Sequence, residues 1–131
     1  MSNKFAIRQQ ISQKKSEKIE KNTELTGLNG DLERLENALK DVKSAKDDFN
    51  QAKSSYDKTK ITDSDWKGET RNKSNKKKQE INSELKNVNQ DFENAENDLE
   101  DDISKKNKEI KGVENQISKL SHDIKVLEAK L

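Results

Sequence analysis

Apolar residues in the first half of the chain recur in alternating steps of three and four. The series runs along one helical face through Leu25, Leu28, Leu32, Leu35, Leu39 and Val42. Phe49 and Tyr56 continue the same phase at seven-residue intervals, while polar and charged residues fill most other positions. This period is typical of a helix that buries one narrow stripe against another helix. It predicts a first helix over about residues 3–58.

A second apolar series predicts a second helix, over about residues 63–130. It comprises Ile81, Leu85, Val88, Phe92, Ala95 and Leu99, followed by Ile110, Val113, Ile117, Leu120, Ile124, Leu127 and Leu131. Ile103 follows Leu99 by four residues, where a strict heptad would step by three, and this stutter locally unwinds a supercoil. The first series has an interruption of its own, because Ile19 is out of phase with Leu25.

The two interruptions favour an antiparallel hairpin. If the chain folds back near Thr62, the numbers of facing residues add to about 124, and the irregular zone before Leu25 meets the stutter after Leu99. Ile11 would then face Val113. We therefore predict an all-α fold, a long, coiled-coil-like, antiparallel two-helix hairpin that spans residues 1–131 as a single unit. Its turn lies at about residues 59–62 and carries a Trp-x-Gly motif.

The expected turn has the residues of a helix start. Thr62 and Asp65 have the spacing of a capping box, and Ile61 and Trp66 occupy the two positions of a hydrophobic staple. Gly68 then falls in the first two turns of the second helix, where a close approach by another backbone or a bulky side chain would explain a glycine.

Gly27 and Gly30 raise the question of whether the first helix is continuous. The apolar register runs straight through both glycines, from Leu25 to Leu32, which favours a continuous or gently kinked helix. A break at residues 27–30, which would give three helices, is the alternative.

Composition narrows the class of protein. Hydrophobic residues make up 27% of the chain and charged residues 40%, too few apolar side chains for a core of several layers. The net charge is only +1, and the basic run at 71–78 is flanked by Glu69 and Glu80, so we expect a solvated helix face and no nucleic-acid partner. We expect no membrane insertion, because no stretch is apolar enough to span a bilayer.

The sequence offers no recognisable catalytic or metal chemistry. Glu100, Asp101 and Asp102 form an acidic cluster without the glycine turn of a cation-binding loop. His122 is the only histidine and falls on an outward position, whereas a zinc site needs several ligands together. We expect a protein that is not an enzyme and that has no catalytic, cofactor-binding or metal-binding residues.

The apolar stripe remains as the functional feature. With facing numbers adding to about 124, the last dozen residues extend past the N-terminus. Ile124, Leu127 and Leu131 would then lack an intramolecular partner. Together with Leu120, they are the predicted partner-binding residues, since exposed leucines at seam spacing mark a contact site for another helix.

A helical hairpin with Trp66-Lys67-Gly68 at its turn resembles the small WxG-type proteins of bacterial type VII secretion. Its length and its lysine- and asparagine-rich arms are most similar to the YwqH-like branch, which is found with LXG-type toxins of Gram-positive bacteria. The resemblance covers the whole chain as architecture but only Trp66 and Gly68 as motif. It implies a targeting partner or adaptor that binds the helical N-terminal domain of a cognate secreted effector, with a second small helical protein as a further candidate partner, and helps its export.

The resemblance is incomplete at the export signal. Many family members carry Tyr-x-x-x-Asp/Glu after the second helix, but the only tyrosine, Tyr56, precedes the turn. The nearest imitation is Phe92 followed by Glu96, and we interpret Phe92 as a seam residue in preference to a degenerate signal. The N-terminus lacks the apolar core of a signal peptide, so we expect a cytoplasmic protein, and any export would use the type VII system without a cleaved leader. The alternative function is a homodimeric coiled-coil spacer or scaffold with no export role.

Overall fold

The computed structural model describes residues 2–58 and 69–131, and the side chains of residues 3–58 and 72–131. Helix α1 spans Ser2–Asp57 and helix α2 spans Glu69–Glu128. The two helices pack against each other, which confirms the all-α, two-helix hairpin. The predicted turn at 59–62, the predicted start of the second helix at 63, Trp66 and Gly68 lie outside the described residues.

Helix α1 is continuous through Gly27 and Gly30. This confirms the continuous helix and excludes the break at residues 27–30. Thr23 and Thr26, which precede Gly27, donate their hydroxyls to the carbonyls of Ile19 and Asn22 at 3.1 and 3.0 Å, and these bonds satisfy both hydroxyls inside the helix. The seam on both sides of the glycines offsets their low helix propensity, since each helical glycine costs about 1 kcal/mol relative to alanine.

Contacts between residues of the chain group the hairpin into two compact units, and each unit contains a segment of both helices. Unit 1 comprises Met1–Glu36 and Asp101–Leu131, and unit 2 comprises Asn37–Glu100. In the described part of both units, no helical stretch combines the length and the hydrophobicity needed to cross a bilayer.

Unit 1 contains the buried core. Its five buried hydrophobic residues are between 6% and 9% exposed: Ile11, Ile110, Val113, Ile124 and Leu127. Ile7 packs against the cluster that Ile11 forms with Ile124 and Leu127. Two ion pairs join the helices beside that cluster, with Nζ–carboxylate distances of 3.6 Å for Lys14–Asp123 and 3.7 Å for Lys15–Glu128. Ile19, which the heptad phase places off the seam, is 67% exposed.

Unit 2 has a seam but no buried hydrophobic side chain among its described residues. The rings of Phe49 and Phe92 meet across the helices with centroids 5.6 Å apart. Lys46 pairs with Glu96 at 3.5 Å, and both side chains are less than a quarter exposed. The interior of unit 2 is therefore half-buried and partly ionic.

The predicted pairing of residues across the hairpin is wrong. In unit 1, Lys14 faces Asp123 and Asp31 faces Lys106, and the numbers of each pair add to 137. In unit 2, the numbers of Phe49 and Phe92 add to 141. Both values exceed the expected value of about 124 by roughly two heptads. Ile11 consequently packs against Ile124 and Leu127, and not against Val113.

Heptad periodicity explains the size of this error. Sliding one helix along the other by whole heptads returns residues of the same type to the seam, so the apolar pattern alone does not fix the register. Charges beside the seam distinguish the two registers. The expected register opposes Asp31 to Glu93 and Lys46 to Lys78, both pairs of like charge, whereas the observed register pairs Asp31 with Lys106 and Lys46 with Glu96.

Candidate helix-docking groove

The candidate site is an open groove along unit 2, with a volume of about 270 Å³. Its lining residues are Val42 of α1 and Val88, Asp91, Phe92 and Ala95 of α2. Four of these five side chains are apolar. We call this surface the unit 2 groove.

The groove exists because α2 turns some of its apolar residues away from α1. Asn89 and Glu96, each one residue beyond an apolar seam position, are half-buried, whereas Val88 is 39% exposed. The ion pair with Lys46 of α1 holds Glu96 on the side of α2 that faces α1. Ile81, Val88 and Ala95 are spaced by seven residues and so form a row along one face of α2. Ile81 is also 39% exposed and Ala95 is half-buried, so this apolar row is partly exposed to solvent.

Helix α1 contributes a row of methyl groups to the same side. Ala38 lies four residues before Val42 and Ala45 lies three residues after it, so both flank Val42 on one helical face. Ala52 continues the row seven residues after Ala45. Ala45 and Ala52 are exposed and Ala38 is half-buried. Small side chains permit a close approach by another helix, and the shape of the groove therefore suits a helical ligand.

The predicted partner-binding end is largely closed by the chain itself. Ile124 and Leu127 are 7% and 9% exposed and pack with Ile11, so the expectation that they lack an intramolecular partner is wrong. Leu120 is half-buried, and Leu131 remains 45% exposed. The cause is the register, which carries the C-terminal part of α2 alongside α1.

The observed register leaves residues of α1 without a partner instead. Ile7 lies opposite the last residues of α2, and Phe5, which precedes it, is 64% exposed. Exposed apolar side chains at this end of unit 1 therefore include Phe5 of α1 as well as Leu131.

Phe92 and Glu96, the nearest imitation of the export signal, are both engaged within unit 2. Phe92 packs on Phe49, and Glu96 pairs with Lys46. A partner that read Phe92 and Glu96 as a signal would have to compete with these contacts.

A second, more polar groove lies in unit 1, and four of its six charged side chains pair with one another. Arg34 donates to Asp31 at 2.6 Å, and Lys106 lies 3.8 Å from Asp31 and 3.5 Å from Glu109. The hydrogen bond from Arg34 is the main reason that the pKa of Asp31 lies below its usual value, and the charges of Arg34 and Lys106 add to the effect. Since these side chains already satisfy one another, they offer a ligand few unpaired groups.

The other polar residues considered from the sequence are solvent-facing. His122, Glu100, Asp101 and Asp102 are all exposed. Among the described side chains, no three that could ligate a metal lie together.

Comparison with known proteins gives no further assignment. No family model, curated protein or solved structure matches this chain. The unit 2 groove therefore has to be interpreted from its own geometry.

Sequence reasoning missed the groove, although the pattern contained a signal. The apolar period places Ile81, Val88 and Ala95 in the same seam as Leu85 and Phe92. The polar residues next to them decide which apolar row faces α1. Glu96 follows Ala95 directly and has a lysine opposite it in the observed register, and this ion pair occupies the inner position.

Proposed function

We propose that this protein is a non-enzymatic interaction protein that binds a partner helix along the unit 2 groove. The observation that carries this proposal is the uneven burial of the two units. Every buried hydrophobic residue in the described chain lies in unit 1, whereas Ile81 and Val88 of unit 2 are each 39% exposed. Unit 2 therefore lacks a buried apolar core among its described residues, and an additional helix would supply one.

Helix-to-helix burial is the mechanism that this geometry supports. A docked helix would cover the apolar rows of both helices and remove them from water. This transfer is favourable by about 25 cal/mol per Å² of apolar surface, and the entropic cost of association is set against it. Two-helix hairpins bury little surface per residue, and addition of one or two helices gives the better covered core of a bundle.

The resemblance to WxG-type hairpins suggests which partner to test. We propose that the protein acts as a targeting partner or adaptor for the helical N-terminal domain of an LXG-type effector of type VII secretion. The support is the two-helix hairpin together with Trp66 and Gly68 in the segment between the helices. The partner helix is proposed to lie in the unit 2 groove and not at Leu120, Ile124, Leu127 and Leu131.

The alternative function is a homodimeric spacer or scaffold, in which the second copy covers the groove. The form of this alternative that consists of one extended rod is excluded, because α1 and α2 pack against each other. A homodimer of hairpins would make the apparent mass depend on protein concentration, which separates the two functions.

Co-expression tests the proposal directly. The full chain is produced with the helical N-terminal domain of an LXG-type effector encoded beside it, and the complex is analysed by size-exclusion chromatography with light scattering. An equimolar complex is expected. A stable monomer that does not bind the effector domain contradicts the proposal.

A matched pair of valine variants locates the binding surface. Val88 in the groove and Val126 in unit 1 are similarly exposed, at 39% and 44%. Val88→Asp should abolish the complex and retain helicity, because the charge would have to be buried on docking. Val126→Asp should leave the complex intact. Equal effects of the two substitutions would place the interface elsewhere.

A further inference from the structure

Helical spacing places carboxylates along both edges of the unit 2 groove. Asp41 lies three residues after Ala38 and four before Ala45. Asp48 lies three residues after Ala45 and four before Ala52. Both aspartates therefore flank the alanine row of α1. On α2, the same spacing places acidic side chains beside the row of Ile81, Val88 and Ala95. They are Glu84, Asp91 and Asp98. We call these five side chains the acidic rim.

The rim is available to a ligand. All five carboxylates are exposed, and none of them forms an ion pair or hydrogen bond with another described residue. Asp91 itself lines the groove.

Three lysines of the same part of α1 lie off the alanine row. Lys46 pairs with Glu96 between the two helices, Lys53 is half-buried seven residues after Lys46, and Lys43 lies three residues before Lys46 on the same face of α1. The acidic edges of the groove are therefore separate from these lysines.

This inference rests on the proposed function and names the chemistry of its partner. We propose that the occupant of the unit 2 groove is a basic amphipathic helix of another protein, with an apolar stripe and Lys or Arg on both flanks. The stripe covers the valine and alanine rows, and the basic flanks meet the acidic rim, which gives charge complementarity along both edges.

The same charges disfavour a second copy of this chain in the groove. Two copies joined through this face would oppose their acidic rims, and like charges at flanking positions destabilise helix pairs. The chain's own basic segment at 72–80 is also unsuitable, because it contains no hydrophobic residue to fill the groove.

A selection experiment tests the sign of the partner's charge. The full chain is used as bait for a displayed library of helical peptides that share one Leu/Ala stripe and carry either Lys or Glu at each flanking position. Peptides recovered against the wild-type chain should favour Lys over Glu at the flanks by about tenfold or more, since several rim pairs act together. The Lys-flanked peptide should bind more weakly as salt is added.

Two amide variants with four substitutions each separate the rim from general surface charge. The test variant carries Asp41→Asn, Asp48→Asn, Asp91→Asn and Asp98→Asn. The control variant carries Asp47→Asn, Asp57→Asn, Glu93→Gln and Glu100→Gln, at exposed acidic positions of unit 2 outside the rim. The test variant should lose the preference for Lys, and the control variant should keep it.

The possible results distinguish this inference from the proposed function. If Lys- and Glu-flanked peptides bind equally and Val88→Asp abolishes the binding of both, the groove binds a helix and the proposal of a basic partner is wrong. A preference for Glu, or a dimer of the chain that Val88→Asp dissociates, also overturns the basic partner. If no peptide binds, both the groove and its basic partner are rejected.

Discussion

The rings of Phe49 and Phe92 meet with centroids 5.6 Å apart and planes inclined by 43°. This tilted arrangement is favourable for aromatic pairs and contributes about 0.5–1.5 kcal/mol beyond the area that it buries. Phe92 also lines the unit 2 groove, so Phe49 supports one wall of the groove from the side of the seam. The aromatic pair thus links the stability of unit 2 to the shape of its candidate docking surface.

Removal of the inner ring should weaken unit 2. Phe49→Ala is expected to lower the free energy of unfolding by about 1–2 kcal/mol, less than a fully buried phenylalanine because Phe49 is half-buried. Phe5→Ala is the matched control, since Phe5 is 64% exposed, and should change stability by less than about 0.5 kcal/mol. Urea unfolding followed by circular dichroism measures both. Equal losses would show that the aromatic contact adds nothing.

The register of unit 1 can be measured by spin-label distances, and the absence of native cysteine makes labelling simple. Cysteines at positions 15 and 128 replace an exposed ion pair, which costs about 0–1 kcal/mol. The label-bearing backbones should lie about 10 Å apart, as expected for neighbouring packed helices. Labels at 15 and 109 should be farther apart, because 109 lies about 28 Å along α2 from 128. The opposite order would restore the register in which facing numbers add to about 124.

The sequence was sufficient for the elements of the fold and insufficient for their alignment. Steps of three and four predicted both helices and the continuity of α1 through Gly27 and Gly30, because amphipathic period is a local property. Whether Phe92 faces Leu32 or Phe49 depends on a slide of two heptads and one seam step of three. The apolar period does not detect this slide, because a seam residue lies opposite Phe92 in both cases. The position of the docking surface depends on the same alignment of the two helices and on which side of α2 carries Glu96. Apolar spacing alone therefore could not locate the candidate site.

Asp31 should titrate below the usual carboxyl range. The hydrogen bond from Arg34 stabilises its charged form, and the charges of Arg34 and Lys106 act in the same direction. Because the pKa is depressed in the folded state, the stabilisation is present above the unfolded value of about 3.8 and is lost as pH falls through the folded value. Arg34→Gln should raise the pKa of Asp31 towards 3.8, as measured by NMR of the carboxyl carbon. Lys106→Gln should raise it less.

Gly112→Ala should stabilise α2. A Cβ added at Gly112 meets no atom within 4 Å, and Gly112 lies in the interior of the helix. Alanine there should raise the free energy of unfolding by about 0.5–1 kcal/mol, chiefly by restricting the unfolded chain. Gly27→Ala provides an independent comparison on α1, since a Cβ there is equally free of contacts. Thermal unfolding by circular dichroism measures both. A lower melting temperature for either variant would show that the glycine is required by a contact that the isolated hairpin does not contain.

Amide hydrogen exchange should reveal the difference between the two units. Protection should be greatest around Ile110, Val113 and Ile124, where buried apolar side chains cover the helix, and weakest around Ile81 and Val88, which are each 39% exposed. Ligands that bind in the unit 2 groove should slow exchange around Val88 far more than around Val113, because a docked helix adds burial only where the hairpin lacks it. Mass spectrometry of peptic fragments measures both regions in one experiment, so each serves as the internal control for the other. Uniform protection along α2 before any ligand is added would contradict the uneven burial from which the docking function is inferred.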